Sequence, residues 1–396
     1  MTKNATNHDV IVVGAGPAGA TAARHCALGG LDTLLLEKDT LPRFKPCAGG
    51  VTMGALRALD FELPESVIER RCRGVRVGYK NIVQDVQVPE TIAVMVTRSR
   101  FDEFLALRAV EAGAELRQGE VCTGIRVTDE GITVQTADAS YTASLVIGAD
   151  GLFSRVRRSL GRKFESDEKR LCVIADIPME PDEIERRFAD RVVLNYSYIT
   201  MGYAWIFPKA SHISTGIGSG VSKDRELPEL LRAFLSSQDI VSQVPIRGCF
   251  LPFSRWRHSI YANRIMLVGD AAGLVDAFSG EGIRHAIASG KLAAQVAERA
   301  KDAGDYSEKT LGEYQDRCWE QIGDELFRSN KATELVFRHP NLLLRTALNS
   351  REALERYIRT VHGDLSFTDY VSWLKRRLPR YLIRRFLLLQ RPRNTS

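Results

Sequence analysis

The chain has 396 residues, 44% of them hydrophobic and 26% charged, with a formal net charge of +6. That balance excludes a disordered chain and is enough for two domains with substantial cores. Eight basic residues and no acid fall within positions 373–393, so the positive surplus is local and a broad nucleic-acid-binding face is not expected.

The seven cysteines, at 26, 47, 72, 122, 172, 249 and 318, are odd in number and never spaced as CxxC. Neither a disulfide framework nor a structural zinc site is expected, and no metal. A reducing compartment fits this usage. No apolar run approaches the ~20 residues of a membrane span. The polar first nine residues do not resemble a signal peptide.

In chain order, Val10-Ile11-Val12-Val13 is a short apolar run suited to a buried parallel strand. Gly14-Ala15-Gly16-Pro17-Ala18-Gly19 follows directly, then an alanine-rich helical stretch to Leu28. Gly14 allows a tight turn, Gly16 leaves room for a pyrophosphate, and Gly19 lets the helix approach the strand. Free N–H groups at the helix start, around Ala18, would hold phosphate oxygens. A second strand, 33–36, ends in Glu37, 21 residues after Gly16, the offset of a ribose hydroxyl contact; Lys38 follows it. An acid at 37 disfavours a 2′-phosphate.

Residues 97–102 begin a helix whose Phe101, Leu105 and Ala109 recur on one face. Strands at 121–126, 131–136 and 141–147 form a meander leading into Gly148-Ala149-Asp150-Gly151. Strands are expected at 192–199 and 213–220. Between them Tyr203, Trp205 and Phe207 alternate, so all three side chains face one way and can wall an apolar pocket. Late in the chain a strand, 264–268, ends at Gly269-Asp270, where Asp270 can accept from a ribityl hydroxyl. Residues 280–293 are expected to form a helix starting at Gly280-Glu281-Gly282-Ile283. Its dipole would favour negative charge on a reduced flavin ring. His285 is read as structural. Three dispersed glycine segments suggest one large cofactor gripped at both ends, which points to FAD.

At this point the sequence resembles the flavoprotein group related to p-hydroxybenzoate hydroxylase. The resemblance implies an α/β fold with an added antiparallel sheet. It comprises a Rossmann-like FAD-binding domain of the glutathione reductase/p-hydroxybenzoate hydroxylase type, an inserted substrate-binding sheet and a helical C-terminal region. It also implies that Arg98 lies near the adenosine side of FAD and that Gly269-Asp270 meets the ribityl chain and pyrophosphate. The usual proline a few residues later is Ala277 here, which is expected to loosen one loop.

Pro42-Arg43-Phe44-Lys45-Pro46-Cys47-Ala48-Gly49-Gly50 is the most specific local string, and Tyr203-Ala204-Trp205-Ile206-Phe207-Pro208 the second. With Gly280-Glu281-Gly282-Ile283, they resemble the geranylgeranyl reductase family. That implies FAD-dependent reduction of isolated C=C bonds in a polyprenyl chain on a lipid, pigment or quinone, with electrons from NAD(P)H or reduced ferredoxin. A cysteine beside glycines can approach the ring closely, so Cys47 is the candidate catalytic residue. Lys45, two positions away, is expected to act on its thiol. Cys47, Ala48 and Gly49 are also candidate cofactor contacts, with Gly14, Gly16, Ala18, Gly19, Glu37, Lys38, Arg98, Asp150, Gly269, Asp270, Gly280, Gly282 and Ile283. The competing readings are an FAD monooxygenase or halogenase, and a prenyl-binding module that keeps FAD structurally.

The expected domains are 1–75, 96–165 and 260–305 for FAD, 76–95 and 166–259 for substrate, and a helical region 306–396. In residues 369–396, Trp373, Leu374, Leu378, Tyr381 and Leu382 share a face among bases. This amphipathic tail is expected to contact a membrane surface. The expected location is cytoplasmic, peripheral on the inner membrane face.

Overall fold

A computed structural model describes residues 7–219, 226–253 and 258–377. The apolar run near the N-terminus is the strand Asn7–Val13, at the centre of a largely parallel sheet. Thr33–Glu37 pairs with it on one side and Ser140–Gly148 on the other, both parallel. Glu115–Gln118 extends one edge and Ile265–Leu267 the other, again parallel. All five residues of Thr33–Glu37 are buried, as expected where helices cover both faces of a parallel sheet. The meander is present: Gly124–Val127 pairs antiparallel with Ile132–Gln135, which pairs antiparallel with Ser140–Gly148.

The helix Pro17–Leu28 lies close to Ile283–Ala303 because small residues line the contact. A Cβ on Gly290 would meet the Ala18 carbonyl at 2.5 Å, so only glycine permits this approach. The expected helix from residue 280 begins three residues later, at Ile283. Gly280 has φ of +71°, a left-handed conformation that a right-handed helix cannot include. The loop before it is held rather than loosened: Asp276 Oδ1 accepts from the amides of Phe278 and Ser279 and from Ser279 Oγ, at 2.7–3.0 Å.

A second, seven-stranded sheet runs in the order Arg247–Pro252, Lys169–Pro178, His212–Ser219, Gly202–Pro208, Arg191–Asn195, Gly74–Tyr79 and Ile82–Gln87. A third joins Gly50–Thr52, Ala93–Val96 and Ile68–Cys72. Segment 76–95 thus serves both of these sheets.

The helices from Glu308–Cys318 to Phe367–Arg377 complete the described chain. Those from Asp324–Arg338 onward pack onto the second sheet and share one apolar core with it, which contains Val75, Leu194, Phe337, Tyr357 and Leu374. The described start of the basic tail therefore faces protein. Leu374 is buried, and Arg356 and Arg377 lie over the Trp373 ring, 4.7 and 5.1 Å from its centre. The rest of that segment, including Leu378, Tyr381 and Leu382, lies outside the described residues. Among the described residues no helix is long and apolar enough to cross a membrane.

Candidate functional site

One cavity of about 920 Å³ runs from the glycine turn, between the sheets, to the C-terminal helices. At its first end the chain reverses at Gly14, φ +105°, whose absent Cβ would lie 2.5 Å from the Ala149 carbonyl. A side chain there would force apart the two loops that open the groove. Gly16 precedes a helix whose first turn has no side-chain cap, leaving its positive end facing the cavity.

Glu37 is buried at the end of its strand. Its Oε2 accepts from the Ala15 amide at 2.9 Å, and Arg43 Nε lies 3.3 Å from Oε1. Arg43 Nη1 reaches Asp102 Oδ2 at 2.9 Å, and Arg98 grips Asp102 as a fork at 2.7 and 2.8 Å. Burial opposes the charge on Arg98, but Asp102 and Cys47 hold its pKa above the ordinary guanidinium value. The acidic and basic groups here form one paired chain from Glu37 through Arg43 and Asp102 to Arg98.

The Cys47 sulfur accepts from the Gly49 amide at 3.4 Å, and its charge bears on Arg98. The expected partner, Lys45, is exposed, and its charge bears on Cys249. Residues 43–49 are neither helix nor strand, so no regular spacing fixes which of their side chains share surroundings. A second buried cation in this region is Lys209, whose Nζ would lie 3.1 Å from a Cβ on Gly49. Burial lowers its pKa, with Asp176 and Cys47 pulling the other way. The readable signal for Lys209 is its position directly after the aromatic strand.

Tyr203, Trp205 and Phe207 line the cavity while Ala204, Ile206 and Pro208 are buried on the opposite face. Room for the indole comes from the next strand: a Cβ on Gly216 would lie 2.3 Å from it. Tyr203 donates to the Ser279 carbonyl, tying the wall to the loop before Gly280. Phe337, Tyr357 and Phe367 complete the far end, with Phe278 stacked on Phe367 at 4.1 Å. Burial pushes the Tyr357 hydroxyl up to about 12, and it stays neutral.

Gly14, Gly16, Ala18, Glu37, Lys38, Lys45, Cys47, Ala48, Gly49, Arg98, Asp150, Asp270, Gly280, Gly282 and Ile283 all border the same cavity. Gly19 and Gly269 do not. A Cβ on Gly19 would strike the Gly14 carbonyl at 1.8 Å, and one on Gly269 would meet Ala18 at 2.8 Å. Both act by letting backbone pack. His285 is buried, which lowers its pKa to about 4 and keeps the imidazole neutral.

The residues fit an extended dinucleotide. Asp150 Oδ2 accepts from the amides of Arg155 and Val156, while Oδ1 is buried with no protein partner and borders the groove. A sugar hydroxyl donating to Oδ1 would satisfy it. At the other end, Glu281 projects from the motif whose glycines alone were read from sequence. Its Oε1 accepts from Thr52 at 2.5 Å.

The FAD binding domain family matches residues 7–321. A digeranylgeranylglycerophospholipid reductase of Methanothermobacter thermautotrophicus is 34% identical over 84% of this chain and 87% of its own length. One from Methanopyrus kandleri is 32% identical over 89% and 96%. A geranylgeranyl bacteriochlorophyll reductase-like structure from Thermoplasma acidophilum superposes with a TM-score of 0.80 at 25% identity, covering 98% of this chain and 100% of its own. A flavin-dependent brominase shares the fold, with a TM-score of 0.72 at 19% identity over 97% and 100%.

Proposed function

The chain belongs to the geranylgeranyl reductase family of FAD-binding proteins, and from that premise we propose that it saturates isolated C=C bonds in the geranylgeranyl chains of a glycerophospholipid. It is an FAD-dependent oxidoreductase. The observation that carries the substrate assignment is the continuity of one cavity, from a phosphate-binding turn to an aromatic wall.

Bound FAD, once reduced, supplies a hydride for one alkene carbon, and a proton completes the other. The turn at Gly14 and Gly16 and the following helix end would hold the pyrophosphate, Glu37 a ribose hydroxyl, and Asp150 and Asp270 further hydroxyls. Tyr203, Trp205 and Phe207 orient the chain and exclude water, which an unactivated alkene requires of its site. Cys47 Sγ, held by the Gly49 amide, is the group assigned to proton handling. Electrons enter from NAD(P)H or a reduced ferredoxin that docks transiently. The basic segment beyond residue 377 holds the protein against anionic lipid, where such a substrate resides.

The test is anaerobic. The flavin is reduced, digeranylgeranylglycerophospholipid is added, and flavin reoxidation is followed with product mass. A gain of two hydrogens per reduced bond is expected. Oxygen or halogen incorporation on admitting air and halide would favour the hydroxylase or halogenase reading. An inert reduced flavin would reject this substrate.

A further inference from the structure

A second sulfur site lies on the cavity wall, away from Cys47. Cys172 on the strand Lys169–Pro178 is directly opposite Cys249 on Arg247–Pro252, in antiparallel register between Leu171/Phe250 and Val173/Gly248. Residues directly opposite in such a pair project to the same face. Both cysteines border the cavity, and both are free thiols. Opposed Cα atoms in antiparallel strands are about 4.5–5.5 Å apart, within the roughly 4.4–6.8 Å that a disulfide spans. Each thiol shifts the acidity of the other, as close neighbours do.

The surroundings favour reaction at this pair. A Cβ on Gly218, on the strand flanking Cys172, would lie 2.9 Å from the Cys172 sulfur, so the glycine makes the room this thiol occupies. Gly248, next to Cys249, faces open space. The Cys172 thiol lowers the Cys249 pKa, burial raises it, and Lys45 lowers it further while Asp270 opposes. The neighbouring Cys249 and burial raise Cys172. Cys249 is the partly exposed thiol of the pair and Cys172 the buried one, so Cys249 is the nucleophile a hydroperoxide reaches and Cys172 the resolving thiol. Cys26, Cys72 and Cys318 are buried, and burial pushes all three up.

We propose that Cys172 and Cys249 form a reversible disulfide site on the cavity wall, oxidised by a hydroperoxide and reduced again by a small thiol. The Cys249 thiolate attacks one oxygen of hydrogen peroxide. The O–O bond breaks, hydroxide leaves and takes a proton to become water, and Cys249 becomes a sulfenic acid. The Cys172 sulfur then attacks the Cys249 sulfur. The S–S bond forms, the S–O bond breaks, and the departing hydroxide takes the Cys172 proton as a second water. The two sulfurs together give up two electrons, and one peroxide becomes two waters.

The test uses the full-length FAD-loaded protein, treated with hydrogen peroxide, alkylated under native conditions, digested without reductant and analysed by mass spectrometry. A linked pair of peptides containing Cys172 and Cys249 is expected, two hydrogens lighter than the dithiol and lost on adding dithiothreitol. Cys172→Ser should replace it with sulfenic or sulfinic acid at Cys249. Recovery of both cysteines alkylated in the wild-type protein, or of Cys249 over-oxidised with Cys172 alkylated, overturns the proposal. The wild-type digest decides the matter without depending on whether a variant folds.

Discussion

The Thr52 hydroxyl donates to Glu281 Oε1 at 2.5 Å, joining the end of one short strand to a loop 229 positions later. Thr52 Oγ1 also accepts from the Ala55 amide at 3.1 Å and so caps the helix Met53–Arg57. One hydroxyl thus fixes a helix start and a cavity carboxyl together.

Burial raises the Glu281 carboxyl to about 7, Thr52 and Arg284 pull it down, and Asp276 and Glu325 push it up. A carboxyl that holds its proton more tightly folded than unfolded costs stability as pH rises. The unfolded chain ionises near 4.5 and the folded chain near 7, so stability falls across that window and levels off above it. Glu281→Gln removes this titration. Its melting temperature should decline less than the parent's between about pH 5 and about pH 7. Parallel melting curves would assign the decline to other groups.

Asp102 is fully buried between two guanidiniums. Arg98→Ala leaves that carboxylate with Arg43 alone and is expected to cost about 3–5 kcal/mol in urea denaturation. Arg98→Lys keeps the charge but loses the fork, and should recover only part of the loss. A cost below about 1 kcal/mol, the level of an exposed ion pair, would contradict the buried network.

Cys47→Ala should bind FAD as the parent does, because the glycines and Glu37 that shape the groove are untouched. Single-turnover reoxidation of the reduced flavin by the prenyl lipid should be lost. A parental rate would remove Cys47 from the chemistry.

Trp205→Ala opens the wall where Gly216 had made room for the ring. kcat/KM for the lipid should fall by about ten- to a hundredfold, a loss of about 1.4–2.7 kcal/mol of transition-state stabilisation. Flavin content, read from absorbance, should stay at the parental level. An unchanged kcat/KM would mean the chain does not lie against this strand.

For the tail, the cut matters. Truncation at 369 removes Tyr370, Val371 and Leu374 from a core, whereas truncation after Arg377 leaves that packing intact. The shorter deletion should release the protein from anionic vesicles in a sedimentation assay with the melting temperature preserved. Retained vesicle binding would place the lipid contact elsewhere.

The sequence made the cofactor groove legible because its constraints are local. Gly14 allows a tight turn, Gly19 needs close backbone approach, and alternation alone put Tyr203, Trp205 and Phe207 on one face. The pairing around Cys47 was not legible. Arg98 bears on it from another part of the chain, while the charge of nearby Lys45 bears on Cys249. Phe337, Tyr357 and Phe367 were missed for the same reason: tertiary folding delivers them, and nothing in their immediate neighbours marks them. At the described start of the tail, Trp373 and Leu374 carry the pattern of an interfacial face, and a protein core accepts that pattern equally well.

The C-terminal helices share their core with the sheet that walls the cavity. Occupancy of that cavity and anchoring of those helices are consequently two readings of one equilibrium. A lipid chain seated against Phe337, Tyr357 and Phe367 should slow amide exchange across residues 324–377, since it would touch those helices only while they are packed. Loosening those helices weakens lipid binding by the same free energy. The enzyme's grip on its substrate is thus set partly by a region that never approaches the flavin's phosphates.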